Sequence, residues 1–232
     1  MCGRFVLATD AQSLQTHFQL DMIPEGFAIA RYNIAPTQPV IVITNTAPKT
    51  LTLQKWGLIP SWSKDPSIAS SLINARAETL HEKPSFRTAF KRRRCLIPAT
   101  GFYEWGKGEG KTKQPYYIHL IDNQIFAFAG LWETWHSPDG DMVETCTIIT
   151  TEPNDLIRPL HHRMAVILDP HDYELWLSPD ELPPSALMPL LNPYPHEDMR
   201  YHPVSSLVNN IRNDSPECIK PFVPPDQSAL FT

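Results

Sequence analysis

The chain has 232 residues, 42% hydrophobic and 19% charged, an ordinary composition for one domain with a sizeable core. No run of eighteen apolar residues occurs, which excludes a membrane-spanning helix, and no basic-then-apolar leader opens the sequence, so a cytoplasmic location is expected. The net charge of -5 hides a split: residues 1–120 carry 15 Lys+Arg against 8 Asp+Glu, and residues 121–232 carry 5 against 17. One reading is a basic surface on an acidic body; the other is that the halves interleave and the charges cancel. Cys2, Cys95, Cys146 and Cys218 are far apart, without CxxC or Cys/His ligand spacing, which argues against a disulfide framework and a zinc site. No cofactor or metal is expected.

The first motif is Met1-Cys2-Gly3-Arg4-Phe5. Removal of Met1 makes Cys2 the terminal residue, with a thiol and a free α-amine. The amine titrates near ~7.7–8 and the thiol near ~8.5. Two carbonyl chemistries are open to such a residue. Its sulfur can attack an amide with its own amine as base, or its amine can form a Schiff base with an aldehyde and its sulfur then close a five-membered thiazolidine. Gly3 lets backbone or ligand approach closely.

Thr9-Asp10 starts a short amphipathic helix over 10–19, with Leu14 and Phe18 on one face. Residues 31–37, Arg-Tyr-Asn-Ile-Ala-Pro-Thr, read as a loop. The β-branched run Val40–Ile43 and the alternating Leu51, Leu53 up to Trp56 read as an antiparallel pair joined around Asn45–Lys49. Gly57 and Pro60 break the sheet, and Trp56 and Trp62 flank the break. Core packing is the commonest fate of a tryptophan, whereas one on a loop can stack on a single-stranded base. In the stretch Asn74-Ala75-Arg76-Ala77-Glu78-Thr79, an extended backbone puts Asn74 and Arg76 on one face, suited to a sugar and a phosphate. In a helix start, Asn74 would instead cap and Arg76 would pair with Glu78. A helix is expected over Pro84–Arg93, and the run Lys91-Arg92-Arg93-Arg94 reads either as a solvated helix end or as a nucleic-acid footprint.

Cys95–Pro98, Gly101–Trp105, Tyr116–Leu120 and Ile125–Trp132 read as strands, with a Gly/Lys hairpin over Gly106–Lys113 and a turn at Asp122-Asn123. Glu104, inside the pentapeptide Gly-Phe-Tyr-Glu-Trp, is desolvated with a raised pKa if it faces inward, and an ordinary edge glutamate if it faces water. Met142–Thr151 is β-rich. A short helix over Pro153–Leu160, capped by Thr151, leads to His161-His162-Arg163-Met164 and a strand over Ala165–Leu168. Adjacent residues of extended chain face opposite ways, so one histidine of the pair enters any given site. Asp169-Pro170 opens a helix to Leu177, residues 178–195 carry six prolines and wrap the surface, and His202-Pro203-Val204 forms a last strand. Val208–Asn213 is a polar loop able to reach the site, and the tail from Pro221 reads as loose. The fold class is α+β: a single domain with a curved, barrel-like, mainly antiparallel sheet and short surrounding helices.

Six motifs, in order, carry a family resemblance: Met1–Phe5, Arg31–Pro36, Trp56–Pro60, Asn74–Thr79, Gly101–Trp105 and His161–Met164. Together they resemble the SOS-response-associated peptidase (SRAP) family, from Cys2 to about Ile219. The resemblance implies a domain over 2–220 followed by a proline-rich tail over 221–232. It also implies a covalent thiazolidine crosslink between Cys2 and abasic sites in single-stranded DNA, shielding the lesion during the DNA damage response. Schiff-base lyase activity and N-terminal autoprocessing go with it. The implied roles are Cys2 as the crosslinking residue, Asn74 on the deoxyribose, Glu104 in ring opening and proton transfer, and His161 rather than His162 in Schiff-base chemistry and its reversal. Arg4, Arg76 and Arg163 are implied at phosphates, and Pro36 and Trp62 beside the bases. The partner implied is abasic single-stranded DNA, bound by a monomer without a cofactor.

Three positions depart from the family's pattern: Ala165 where Pro is usual, Thr100 where Asp commonly precedes the glutamate motif, and Ser63 where some members carry a second tryptophan. None removes an implied catalytic group. The alternative reading is an N-terminal-nucleophile amidohydrolase of the glutamine-amidotransferase kind, which also begins Met-Cys-Gly. It needs an oxyanion hole and an arginine clamp, for which no later motif stands.

Overall fold

A computed structural model describes residues 2–23, 27, 30–108 and 113–222. In chain order the strands are β1 (Phe5–Leu7), β2 (Arg31–Ile34), β3 (Pro39–Thr44), β4 (Ala47–Trp56), β5 (Asn74–Arg76), β6 (Arg94–Ala99) and β7 (Gly101–Lys107). They continue as β8 (Lys113–Leu120), β9 (Phe126–His136), β10 (Met142–Thr151), β11 (Met164–Ala165), β12 (Ile167–Leu168) and β13 (Met199–Pro203). Strands β10, β4, β3, β6 and β9 follow one another and β9 pairs back onto β10, closing a five-stranded barrel. Closure leaves these strands no open edge within the ring. Every pairing in the ring is antiparallel except β4 with β10. A second sheet, ordered β13-β8-β7-β1-β2, is antiparallel throughout. The expected α+β class and barrel-like sheet are what the chain forms.

One core joins the two sheets. Phe5 of β1 sits edge-on to Trp56 at 5.3 Å and to Phe128 at 5.8 Å, and Phe102 meets Phe128 at 5.9 Å. Such T-shaped pairs add to the large area these rings bury. Helix α1 (Ala11–Phe18) begins where expected: Asp10 accepts the Ser13 N–H at 2.8 Å, and Leu14 and Phe18 are buried. Helix α2 (Arg87–Arg92) buries Ala89 and Phe90.

Several expectations change. Residues 31–34 are a strand, not a loop, because β1 offers them a ladder and Asp214 receives the amides of Tyr32 and Asn33 and the Arg31 guanidinium. Pro153–Leu160 forms turns rather than a helix, and the side chain that organises them is Asn154, which accepts the Ile157 N–H at 3.0 Å; Thr151 is the last residue of β10. The strand expected over 165–168 is split, since the chain passes at Val166 from β10 to β9. The helix expected to run to Leu177 is a 3-10 turn, Pro170–Asp172, followed by one α-turn, Tyr173–Trp176. At the start of the tail, Pro221 bridges Val204 and the Phe222 N–H reaches Pro203 O at 2.8 Å. The tip of the Gly/Lys hairpin, 109–112, and the tail from 223 lie outside the described residues.

The basic run also reads differently. Arg94 is fully buried, and Arg92 and Arg93 pair with Glu181 at 2.8 Å and Glu133 at 2.7 Å. With Arg31 on Asp214, these pairs join first-half cations to second-half acids, so the charge split is partly folded away.

Candidate active site at the N-terminal cysteine

Strand β1 is short, but it lies between β2 and β7, which places the residues just before it at the junction of the two sheets. The β1–β7 ladder pairs Phe5 with Phe102 and continues through Tyr103 N–H to Arg4 O at 2.9 Å. In that register Glu104 falls level with Gly3. From the barrel side, β5 pairs in parallel with β10 and brings up Asn74, whose Nδ2 donates to Cys2 O at 2.9 Å. Trp56 supports β5 by donating its indole N–H to Ile73 O at 2.8 Å. This tryptophan is core, whereas Trp62, on the loop after Gly57, is 58% exposed. Gly57 has φ +133, and a Cβ there would stand 2.7 Å from Ala69 O, so the sharp exit from β4 requires glycine.

Asn74 and Arg76 do share a face of an extended segment, since β5 is a strand. Asn74 Oδ1 is buried and accepts no hydrogen bond from any described residue. Arg76 is exposed and makes no hydrogen bond or ion pair with a described residue; Glu78 is taken by Arg163 instead.

Glu104 is 4% exposed, and burial pushes its carboxyl up to about 7, against the opposing pull of the amino terminus and Lys113. The inward-facing reading of this glutamate is the one the fold adopts. Cys2 is fully buried, and burial, reinforced by Glu104, pushes its thiol up to about 12.

His161 reaches the same region because β7 carries a glycine where the histidine loop packs. A Cβ on Gly106 would stand 2.9 Å from the Leu160 side chain. The Arg163 N–H donates to His161 Nδ1 at 3.0 Å and Arg163 O lies 3.1 Å from the same nitrogen, so the Arg163 backbone orients the ring. Burial is the largest cause of a lowered His161 pKa and favours the neutral ring. His162, exposed, stacks on it at 4.3 Å.

The three arginines expected at phosphates part company. Arg163 is 8% exposed and grips Glu78 through two bonds of 2.6 and 3.0 Å and Thr150 O at 2.6 Å. That bidentate clamp commits the guanidinium to the protein and braces the backbone N–H that orients His161. Arg4 is half-buried: its Nη1 donates to Asn33 Oδ1 at 2.7 Å and Val208 O at 2.6 Å, and it lies over the Trp105 ring at 5.7 Å. Of the three, Arg76 alone has no hydrogen-bond or ion-pair partner among the described residues.

Sequence reasoning missed Asn33. It is fully buried, and its Nδ2 donates to Val208 O, Asn210 O and Asn213 O at 2.7–3.2 Å. Trp105 adds a bond to Asn209 Oδ1 at 2.8 Å. The polar loop 208–213 is thus latched beside the N-terminal strand. Only its polarity signalled this in the sequence. Pro36 is half-buried beside the exit of β4, where Thr37 N–H reaches Trp56 O at 2.8 Å. The substituted positions fit quietly: Thr100 Oγ1 accepts the Ala8 N–H at 3.0 Å, Ala165 is buried in β11, and Ser63 O accepts the Trp135 indole at 2.7 Å. All four cysteines are buried and unbonded to one another, and no grouping of three or more metal-ligating side chains occurs among the described residues.

Residues 1–211 match the family described as SOS response associated peptidase (SRAP). The chain belongs to the SRAP family. It is 47% identical to the abasic site processing protein YoqW of Bacillus subtilis, covering 95% of this chain and 99% of that one. It is 32% identical to the abasic site processing protein HMCES of Gallus gallus, covering 96% and 78%. A solved structure from Bacteroides thetaiotaomicron superposes with TM-score 0.82 at 29% identity, covering 96% of this chain and all of that one. No helix among the described residues of this SRAP chain is long and apolar enough to cross a membrane.

Proposed function

We propose that this SRAP chain, once Met1 is removed, captures abasic sites in single-stranded DNA as a thiazolidine on Cys2. The observation that carries this is the convergence on Cys2 of two groups suited to a sugar: Asn74, bonded to Cys2 O at 2.9 Å with its Oδ1 unfilled, and Glu104, a buried carboxyl titrating at about 7. The name shared by its relatives, abasic site processing protein, points the same way.

An abasic sugar is mostly a closed hemiacetal, and only its open form has an aldehyde. One oxygen of protonated Glu104 gives its proton to the ring oxygen while the other takes the C1′ hydroxyl proton, and Asn74 Oδ1 accepts from a sugar hydroxyl. The neutral α-amine of Cys2 adds to the aldehyde carbon, and the resulting carbinolamine loses its hydroxyl as water. The sulfur then bonds the imine carbon while the thiol proton passes to nitrogen. One C–N and one C–S bond form, and one water leaves. Before the sulfur closes, loss of a C2′ proton with cleavage of the C3′–O bond competes, which is the lyase outcome. His161 serves the proton transfers at the imine and their reversal. Met1 leaves by hydrolysis of the Met1–Cys2 peptide bond, the peptidase step of this reading.

The amide-attack alternative fares worse, because burial of the Cys2 thiol disfavours the thiolate that attack on an amide needs. Aldehyde capture starts from the amine and has no such need. Intact mass of protein mixed with an abasic oligonucleotide tests the proposal. The expected adduct is protein without Met1 plus oligonucleotide less one water; absence of any Cys2-dependent adduct refutes it.

Two variants test the parts. The crosslinking rate should follow a bell-shaped pH profile, rising as the amine deprotonates and falling as Glu104 ionises through about 7. Glu104→Gln should remove the falling limb and lower the maximum about 10²-fold. The same raised pKa has a stability sign. Protonated Glu104 suits the folded state, so that contribution is complete below its ordinary range and is lost as pH rises through about 7. Arg76→Ala should weaken binding to single-stranded DNA and reduce the log–log salt slope by about 0.7, one phosphate's worth. An unchanged slope would remove Arg76 from the phosphate contacts.

A further inference from the structure

A second cationic feature lies outside the site just described. His81, Arg87, Thr88, Lys91, Arg92 and Glu181 line a surface cleft of about 510 Å³. Arg87 and Lys91 stand four apart on α2 and so share a face, while Ala89 and Phe90 bury the opposite side of that helix. Glu181, the acid in the lining, holds Arg92 at 2.8 Å; Glu82 lies 3.5 Å from His81, an ion pair only when that histidine is protonated. Arg87 and Lys91 are exposed and have no hydrogen-bond or ion-pair partner among the described residues. The cleft is therefore a place of uncompensated positive charge with a hydroxyl, Thr88, beside it. It is also tied to the candidate active site by the chain itself. His81 follows Arg76 by five residues, so the two backbones are at most about 18 Å apart.

We infer that this cleft binds the phosphodiester backbone of the same single strand whose lesion lies at Cys2, several nucleotides away from it. The inference rests on the proposed single-stranded DNA partner. Two free cations on one face match successive backbone charges, and small barrels commonly track about 4–16 nucleotides of a single strand, a footprint that includes a cleft this near to Arg76. The cleft adds affinity that depends on strand length and not on the lesion.

The test measures binding of lesion-free single strands of about 5 and about 20 nucleotides across a salt series. The double variant Arg87→Ala/Lys91→Ala should bind the longer strand about tenfold more weakly at physiological salt, with a log–log salt slope shallower by about 1.4. The loss on the shorter strand should be small. The charge-conserving Arg87→Lys/Lys91→Arg protein should restore both quantities. An unchanged slope on the longer strand, or an equal loss on both lengths, overturns the inference. So does saturable binding of inorganic phosphate to the cleft without length dependence, which makes it a site for a free anion. Because the DNA carries no lesion, these outcomes are independent of crosslinking: failure of the adduct at Cys2 strikes the proposed chemistry and leaves the salt slopes standing.

Discussion

Replacing Cys2 with alanine, in protein from which Met1 has been removed, should abolish the adduct that survives denaturation while leaving a transient one. The substitution keeps the α-amine and deletes only the sulfur. An imine between that amine and the abasic aldehyde still forms, but nothing closes on it. It then either hydrolyses or passes to β-elimination. The expected result on a denaturing gel is no shifted band without reductant, a shifted band when borohydride traps the imine, and strand cleavage at or above the level of the parent protein. Asn74 and Glu104 remain to bind and open the sugar, so loss of the stable band is not loss of the site. Cys2 is fully buried beside Phe5 and its core neighbours, and trimming one sulfur removes little volume, so folding is expected to survive. A stable band that persists in Cys2→Ala would assign the crosslink to another group and end the thiazolidine proposal.

Arg94→Ala is expected to destabilise the fold by about 3–5 kcal/mol, a size that marks an uncompensated buried polar cluster. Arg94 has no acid partner. Its guanidinium donates to Trp176 O at 2.8 Å, Ser178 O at 2.6 Å, Asp180 O at 3.0 Å and Phe90 O at 3.2 Å, and also to Lys91 O. Two of these carbonyls belong to α2, where a cation also complements the negative end of the helix. The other three come from the segment after residue 175, so one side chain ties that segment to the barrel. Alanine takes this donor from all five carbonyls and leaves a cavity; Ser178 O keeps Asn45 Nδ2 at 3.2 Å, and water entering the cavity recovers part of the rest, so the loss stays below the sum of single penalties. Urea unfolding should show the drop as a lower midpoint with an unchanged slope. Lys91→Ala, three residues away and exposed, should change stability by no more than about 0.5 kcal/mol. Equal effects at the two positions would mean that the buried network carries no weight.

Arg94 also shows where reading the sequence reaches its limit. Lys91-Arg92-Arg93-Arg94 is one run of like charge, yet its members have four fates: a free surface cation, two ion pairs with residues 40 and 89 positions away, and a buried hub. No local pattern separates them, because the acids and most of the carbonyls that decide their fates lie far along the chain. The same holds for Arg4, Arg76 and Arg163, which share a residue type and a nearby motif but are respectively braced, free and clamped. Strand β2 reads as a loop for a related reason. Arg-Tyr-Asn-Ile has little periodicity of its own, and it is extended because β1 and Asp214 supply partners for its backbone.

What is local in origin was legible. The Asp10 cap and the Leu14/Phe18 spacing gave helix α1, and β-branched and alternating runs gave β3, β4 and β10. For Asn74 and Arg76 the two-residue spacing offered one shared face beside a helix start, and for Glu104 the apolar setting offered burial beside an edge position; the fold adopts the first of each. The terminal cysteine and six ordered motifs were enough, by themselves, to place the chain in its family. The sequence therefore determined which residue types the site contains, because side-chain chemistry and strand periodicity are properties of a few neighbouring residues. Only the tertiary structure decided how they are arranged. Setting β1 between β2 and β7, and β5 alongside β10, brings Asn74 to Cys2 O and Glu104 level with Gly3. Those pairings desolvate the carboxyl and choose which arginine stays free, since burial and charge pairing depend on contacts between residues tens of positions apart.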